Sequence, residues 1–216
     1  MKGNHAVDEE LKKLKKEYEA RKDRIFARAR EFAGVMQRNK PDEIFSELCF
    51  CLLTPQSKAT NCWKAVCSLN SQNLLFSGTA REIQPHLVGV RFHKTKAERI
   101  ILARNRFEIV YPAIMAASTP QQARDILVKN IKGIGYKEAS HFLRNVGLGE
   151  GLAILDRHIL RNLKKFRVIR KIPNSLTKRQ YLLIEKKMLT FARKVNIPCE
   201  HLDMLFWASA TGYIFK

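Results

Sequence analysis

The sequence has no run of about 18 apolar residues, the length a helix needs to cross a bilayer. Its start, with Asp8, Glu9 and Glu10 soon after Met1, lacks the apolar stretch of a signal peptide. A soluble, intracellular chain is expected, and a membrane span is not. Strand-like alternation of Val, Ile and Thr is scarce, which argues against a sheet. The five cysteines, Cys49, Cys51, Cys62, Cys67 and Cys199, match neither a zinc ribbon nor a disulfide framework. The C-x-C at 49–51 lies in the apolar run Phe45 to Leu53, which favours buried, reduced thiols over metal ligation. Only Cys199 falls near the carboxyl end, so no iron–sulfur quartet is expected there. Acidic residues are also short: 20 Asp and Glu stand against 40 Lys and Arg, a formal charge of +20. Such an excess repels a compact fold unless a polyanion is the partner, and nucleic acid is the first candidate, ahead of an anionic membrane.

The 216 residues, 45% of them apolar, are enough for one large domain or two small lobes. Apolar side chains recur at three and four, so an all-α fold is expected. Helices are predicted over about Glu9–Met36, Pro41–Leu53, Ser57–Ser68, Thr79–Val88, Lys94–Ala117, Pro120–Val128, Lys137–Val146, Asp156–Phe166, Lys178–Val195 and Pro198–Thr211.

The densest signal lies between Val128 and Leu163. A short helix ends in Lys132-Gly133-Ile134-Gly135-Tyr136-Lys137 and another begins at once. Two glycines around one apolar residue make a tight hairpin whose exposed N–H groups can grip a phosphate, although glycines in loops also serve as plain helix caps. Lys137 stands at a helix start, where the positive end of the peptide dipole and nearby basic side chains disfavour protonation. A lysine in that setting can act as a nucleophile. Asp156, 19 residues on in Ala153-Ile-Leu-Asp156-Arg-His158, falls at the start of the next helix, where capping and catalysis are compatible.

Ile131-Lys-Gly-Ile-Gly-Tyr-Lys137-Glu-Ala139 with Asp156 resembles the helix-hairpin-helix DNA glycosylase superfamily. The resemblance spans nearly the whole chain. It implies a two-lobed helical fold with the active site in the interlobe cleft, one lobe from residues 1–42 with 154–216 and the other from 43–153, the hairpin lying near 126–146. Lysine at position 137 implies a bifunctional member: Lys137 attacks C1′ of the damaged nucleoside, Asp156 steadies the charge developing on the sugar and helps activate the amine, and a Schiff base leads to β-elimination. The superfamily's cation site would use main-chain carbonyls of Lys129, Ile131 and Ile134; no cofactor is otherwise required. Since the target must leave the stack, a void filler is needed, and Gln56 in Leu52-Leu-Thr-Pro-Gln56-Ser57 resembles the superfamily's residue for that task.

The carboxyl end, Leu202-Asp-Met-Leu-Phe-Trp207 followed by Thr211-Gly-Tyr-Ile-Phe-Lys216, is similar to the second class of 8-oxoguanine DNA glycosylases, found chiefly in archaea and some bacteria. That resemblance implies a base sandwiched by Trp207 and Phe92, with Lys216 and its carboxylate helping to recognise it. Asp203, one turn before Trp207, is a further candidate for the base edge, or else a helix-start carboxylate. Arg91, His93, Lys94, Lys96 and Arg99 form a basic run suited to gripping phosphate or to a solvated helix face. The expected partner is double-stranded DNA containing 8-oxoguanine, handled by a monomer in a prokaryotic cytoplasm, at the nucleoid. Two rivals stay open: a non-catalytic helix-hairpin-helix module, which needs neither Lys137 nor Asp156, and a glycosylase for oxidised pyrimidines of the endonuclease III type, which normally carries the four-cysteine cluster absent from this sequence.

Overall fold

A computed structural model describes residues 2–216, with side chains from Val7 onward. Every regular element among the described residues is helical: α1 (Lys2–Arg38), α2 (Pro41–Leu53), α3 (Ala59–Ser71), α4 (Leu74–Ser77), α5 (Ala80–Ile83), α6 (His93–Met115), α7 (Pro120–Asn130), α8 (Tyr136–Asn145), α9 (Arg157–Lys165), α10 (Lys178–Val195) and α11 (Cys199–Thr211). Local chemistry explains most of the boundaries. Pro41 begins α2 where its missing N–H is harmless, with Asp42 and Glu43 beside the positive helix end. Thr177 and Gln180 close a capping box on α10, and Asn196 ends that helix in the left-handed region.

Besides α1, which begins at Lys2 rather than about Glu9, three segments depart from the sequence expectation. The third helix starts at Ala59, because Thr54–Lys58 forms a loop in which Gln56 takes a φ of 56°. The helix expected over Thr79–Val88 stops at Ile83 and continues as a 3₁₀ turn, Gln84–His86, since Pro85 removes a backbone donor. The short α4 follows Asn73, itself left-handed at φ 57°, a single-residue switch with no periodic signature.

The chain divides into two compact units, residues 33–149 and residues 1–32 with 150–216. In the first, α2 is buried continuously from Ile44 to Leu53, with α3, α6 and α8 packed on it, while α7 packs on α6 and α8. An apolar run this long is a helix hidden on all sides, each large side chain contributing roughly 1.5–3 kcal/mol by its burial. Phe45 meets Phe107 and Phe76 with ring centroids 5.0 and 5.8 Å apart. The one charged group of that buried stretch, Glu47, accepts a 3.0 Å hydrogen bond from Asn145 Nδ2 of α8. Cys49, Cys51 and Cys62 are buried here, whereas Cys67 is exposed.

In the second unit, α11 packs against α9 and α10. Phe166 stacks on Phe206 at 5.7 Å and tilts against Phe191 at 5.3 Å. Buried His201 shares a 2.8 Å hydrogen bond with Tyr18 of α1, and Phe26 meets its ring edge-on. Burial pushes the His201 imidazole below its ordinary range. An unfolded histidine takes a proton near pH 6.5, which the folded one resists, so the associated stability is complete above that pH and is lost as pH falls below it. Thermal scans from about pH 7.5 to about pH 5.5 should therefore show a fall in Tm that is smaller in His201→Gln, each kcal/mol being roughly 2–4 °C in a chain of this size. Equal falls in both proteins would contradict this account.

Candidate functional site

Between α7 and α8 the chain reverses over Ile131–Gly135. Ile131 and Ile134 are buried, and Ile134 N donates to Ile131 O at 3.2 Å, closing the turn. Gly133 has φ +95°, which favours glycine, and a Cβ there would fall 2.6 Å from Arg99 Cδ, so the Arg99 side chain would also have to shift. Gly135 is different: its φ of −100° is open to any residue, and it caps α8 with a Cβ position 3.3 Å from Glu138 Oε2. The two helices are stapled by polar side chains. Buried Arg124 of α7 donates from Nη1 to Ser140 Oγ at 3.1 Å and lies over the Tyr136 ring at 5.0 Å, while the Tyr136 hydroxyl donates to Asp125. This leaves a rigid turn at the surface, backed by the first-turn amides of α8, which have no partner within the helix.

Lys137 is the second residue of α8, and its side chain keeps 24% of its exposure. The charge set against its ammonium is acidic, Glu138 Oε1 at 3.7 Å. Basic company exists as well. Burial pushes the Cys62 thiol up to about 11, and Lys96 and Lys137 both pull it back, which brings the two lysines to the same thiol.

Besides Asn39 and Asn73, two non-glycine residues of this unit are left-handed, Gln56 at φ 56° and Phe92 at φ 58°. Gln56 is exposed, and Phe92, at the N-cap of α6, keeps 56% of its surface with the Arg91 guanidinium 5.5 Å above its ring. Ser57 joins the two turns, its Oγ accepting from Arg91 N at 2.9 Å. Lys94 and His93 are exposed, as a phosphate-gripping run would require. Lys96 is not: it is 1% exposed, and its ammonium donates to Leu53 O, Pro55 O and Ser57 Oγ at 2.7, 2.8 and 3.1 Å. The basic run therefore loses Lys96, which sits on the buried face of α6 with Ile100 and Ala103 and is committed to the Gln56 loop. Its register with those apolar residues was the available signal.

The remaining expected residues belong to the other unit. Asp156 is the N-cap of α9, its Oδ1 accepting from Ile159 N at 2.8 Å. The extended stretch before it is fixed by α10: Tyr181 Oη donates to Ala153 O at 2.5 Å and accepts from Leu155 N at 3.3 Å, and Glu185 Oε1 accepts from Ala153 N at 2.9 Å. Sequence reasoning missed this pair, which is marked only by two polar residues four apart on an otherwise apolar face. Trp207, near the end of α11, is half-buried. Gly212 turns the chain back at φ +89°, and Phe215 then stacks on the indole at 6.2 Å while Tyr213 meets it edge-on at 5.2 Å. Lys216 is half-exposed beyond that aromatic fold-back, and Asp203 is only 7% exposed in the middle of α11, where its charge bears on the Cys199 thiol. Among the described residues no group of three or more His, Cys, Asp or Glu side chains is arranged to hold a metal ion, and no helix is long and apolar enough to cross a membrane.

The family model described as 8-oxoguanine DNA glycosylase matches residues 25–197. A Fusobacterium nucleatum protein named 8-oxoguanine DNA glycosylase/AP lyase is 42% identical over 214 residues, 97% of this chain and 99% of the relative. A protein of the same name from Methanocaldococcus jannaschii is 40% identical over 195 residues, 90% of this chain and 93% of the relative. Among solved structures, the Methanocaldococcus jannaschii 8-oxoguanine glycosylase/lyase in complex with a 15mer DNA containing 8-oxoguanine superimposes with a TM-score of 0.88 at 37% identity, covering 95% of this chain and 99% of that one.

The unequal demands on the two hairpin glycines are measurable. Gly133→Ala is expected to lower the unfolding free energy by about 1–2 kcal/mol through its left-handed backbone, and Gly135→Ala by clearly less. Denaturant titrations giving equal losses would refute the distinction.

Proposed function

The chain belongs to the 8-oxoguanine DNA glycosylase family, and from that premise we propose how its own residues do the work. It is a base-excision repair enzyme, a DNA glycosylase and apurinic/apyrimidinic-site lyase that removes 8-oxoguanine from DNA, with the all-α helix-hairpin-helix fold of its structural relatives.

The observation that carries the residue assignment is the position of Lys137, one residue into the helix that the rigid hairpin launches. A strand phosphate held by the amides around Gly133 and Gly135 brings a sugar to within reach of that side chain. Lys137 Nζ attacks C1′ of the extruded nucleotide, and the electron pair of the glycosidic bond leaves with the base. Asp156, held at the start of α9, stabilises the positive charge that the sugar acquires in passing. The C1′–O4′ bond then breaks, O4′ taking up a proton as the ring opens and the nitrogen forms a Schiff base with C1′; loss of a C2′ proton expels the 3′ phosphate, and the strand is nicked. Asp156 also helps to activate the amine, whose ammonium is paired with Glu138 Oε1 at 3.7 Å.

Extrusion leaves a vacancy in the duplex, and exposed Gln56 on its fixed loop is suited to filling it. Phe92 and Trp207 are the two aromatic surfaces assigned to the base, with Lys216 on the same chain segment as Trp207. Asp203 is assigned the base edge solely on its register with Trp207. Arg91 and Lys94 supply charge for the flanking phosphates. A monovalent cation fits the hairpin, since last-turn carbonyls of α7 face no following turn and Ile131 O, already accepting from Ile134 N, keeps a second lone pair. Lys129, Ile131 and Ile134 would hold it, and it would add positive charge beside the phosphate. A monomer at the nucleoid suits this work, and the excess of basic residues supports that setting.

Borohydride should trap a covalent complex with duplex DNA containing 8-oxoguanine, and Lys137→Gln should abolish trapping while keeping DNA affinity; trapping at the original level in that variant would remove Lys137 from its role. Deleting Lys216 is expected to weaken the preference for the oxidised base over guanine, and unchanged excision of both would remove Lys216 from recognition.

A further inference from the structure

A lysine that is 1% exposed usually has a carboxylate for company. Lys96 has none within ion-pair distance among the described residues; its ammonium is saturated by two carbonyls and a hydroxyl. Desolvation pushes it below its ordinary range, so keeping it here costs stability. What it holds is specific. The acceptors Pro55 O and Ser57 Oγ lie immediately before and after Gln56, and Leu53 O fixes the end of α2 from which the loop departs. A glutamine at φ 56° is disfavoured by about 1–2 kcal/mol and persists only where its surroundings dictate it. Ser57 Oγ carries the restraint onward to Arg91 N, the residue before Phe92, whose own φ is 58°. Two strained residues, both assigned to handling the flipped nucleotide, thus depend on one ammonium.

We propose that Lys96 is the positioning residue for lesion extrusion, clamping the Thr54–Ser57 loop so that Gln56 projects at the height needed to fill the vacated space and holding the Phe92 turn in register with it. The proposal rests on the reading of Gln56 as the void filler. A lysine suits the task because one ammonium offers three donors in divergent directions, enough to tie Leu53 O, Pro55 O and Ser57 Oγ together at one point. Methionine at 96 removes all three donors, leaving Leu53 O only the Cys62 thiol and Pro55 O only the Ser57 hydroxyl at 3.4 Å, and the loop is then free to relax out of the left-handed conformation.

The test is a double-mutant cycle on single-turnover excision of 8-oxoguanine from duplex DNA, using Gln56→Ala, Lys96→Met and their combination. Gln56→Ala and Lys96→Met are each expected to slow excision about tenfold, some 1.4 kcal/mol, and the double variant to be slowed by clearly less than the product of the two, the remainder being the share carried by the Phe92 turn. In a Lys137→Gln background, with 2-aminopurine beside the lesion, Lys96→Met should reduce the fluorescence gain that reports extrusion while anisotropy shows DNA affinity kept. Fully additive losses, or an unchanged fluorescence gain, overturn the proposal. If Gln56→Ala excises at the normal rate, the void-filler reading itself fails and the proposal with it; loss in Lys96→Met alone identifies that case. Should Lys96→Met not fold, Ser57→Ala removes the acceptor shared with Arg91 N. Reduced extrusion with affinity kept supports the clamp, and unchanged extrusion overturns it.

Discussion

Five residues carry the chain from α7 into α8, and in that distance the backbone must reverse while keeping peptide donors at the surface. Buried Ile131 and Ile134 anchor the turn on either side of Gly133, whose +95° φ and lack of a side chain admit Arg99. Arg124, Ser140, Tyr136 and Asp125 then tie the flanking helices together. Because the turn has so little freedom, the first residues of α8 are fixed relative to whatever the loop amides hold. Lys137, the proposed nucleophile, sits one residue into that helix and inherits this precision, which a lysine in a mobile loop would lack.

A second regularity concerns irregular backbone in an all-helical protein. Loop carbonyls and amides there have no neighbouring strand to pair with, and burying them without partners is costly. Long polar side chains from the interior faces of helices meet this need. Lys96 of α6 serves the loop after α2, and Tyr181 and Glu185 of α10 serve the stretch leading to Asp156. In both places the segment so restrained carries a residue assigned to the chemistry. These contacts are a reason for polar residues inside helices whose neighbouring positions are apolar.

What could be read from the sequence follows the range of the interaction. Helix periodicity, Pro41 and the glycine hairpin act within a few residues, so the all-α class, most helices and the positions of Lys137 and Asp156 at helix starts were legible. Lys96 was misplaced among phosphate-binding residues because its partners are 39 to 43 positions away and its sequence neighbours are basic. Gln56 and Phe92 gave no sign of left-handed backbone, since neither is a residue type that favours it. The family relationship supplied their roles; the strain on them came only from coordinates.

Trp207 has a further consequence. The chain contains two tryptophans: Trp63, set edge-on to Phe50 at 5.8 Å, in the unit of residues 33–149, and Trp207 in the other. Each compact unit therefore holds a single indole in distinct aromatic surroundings. Replacing either one leaves an intrinsic optical label confined to the remaining unit, so melting of the two halves can be recorded separately without attaching a dye.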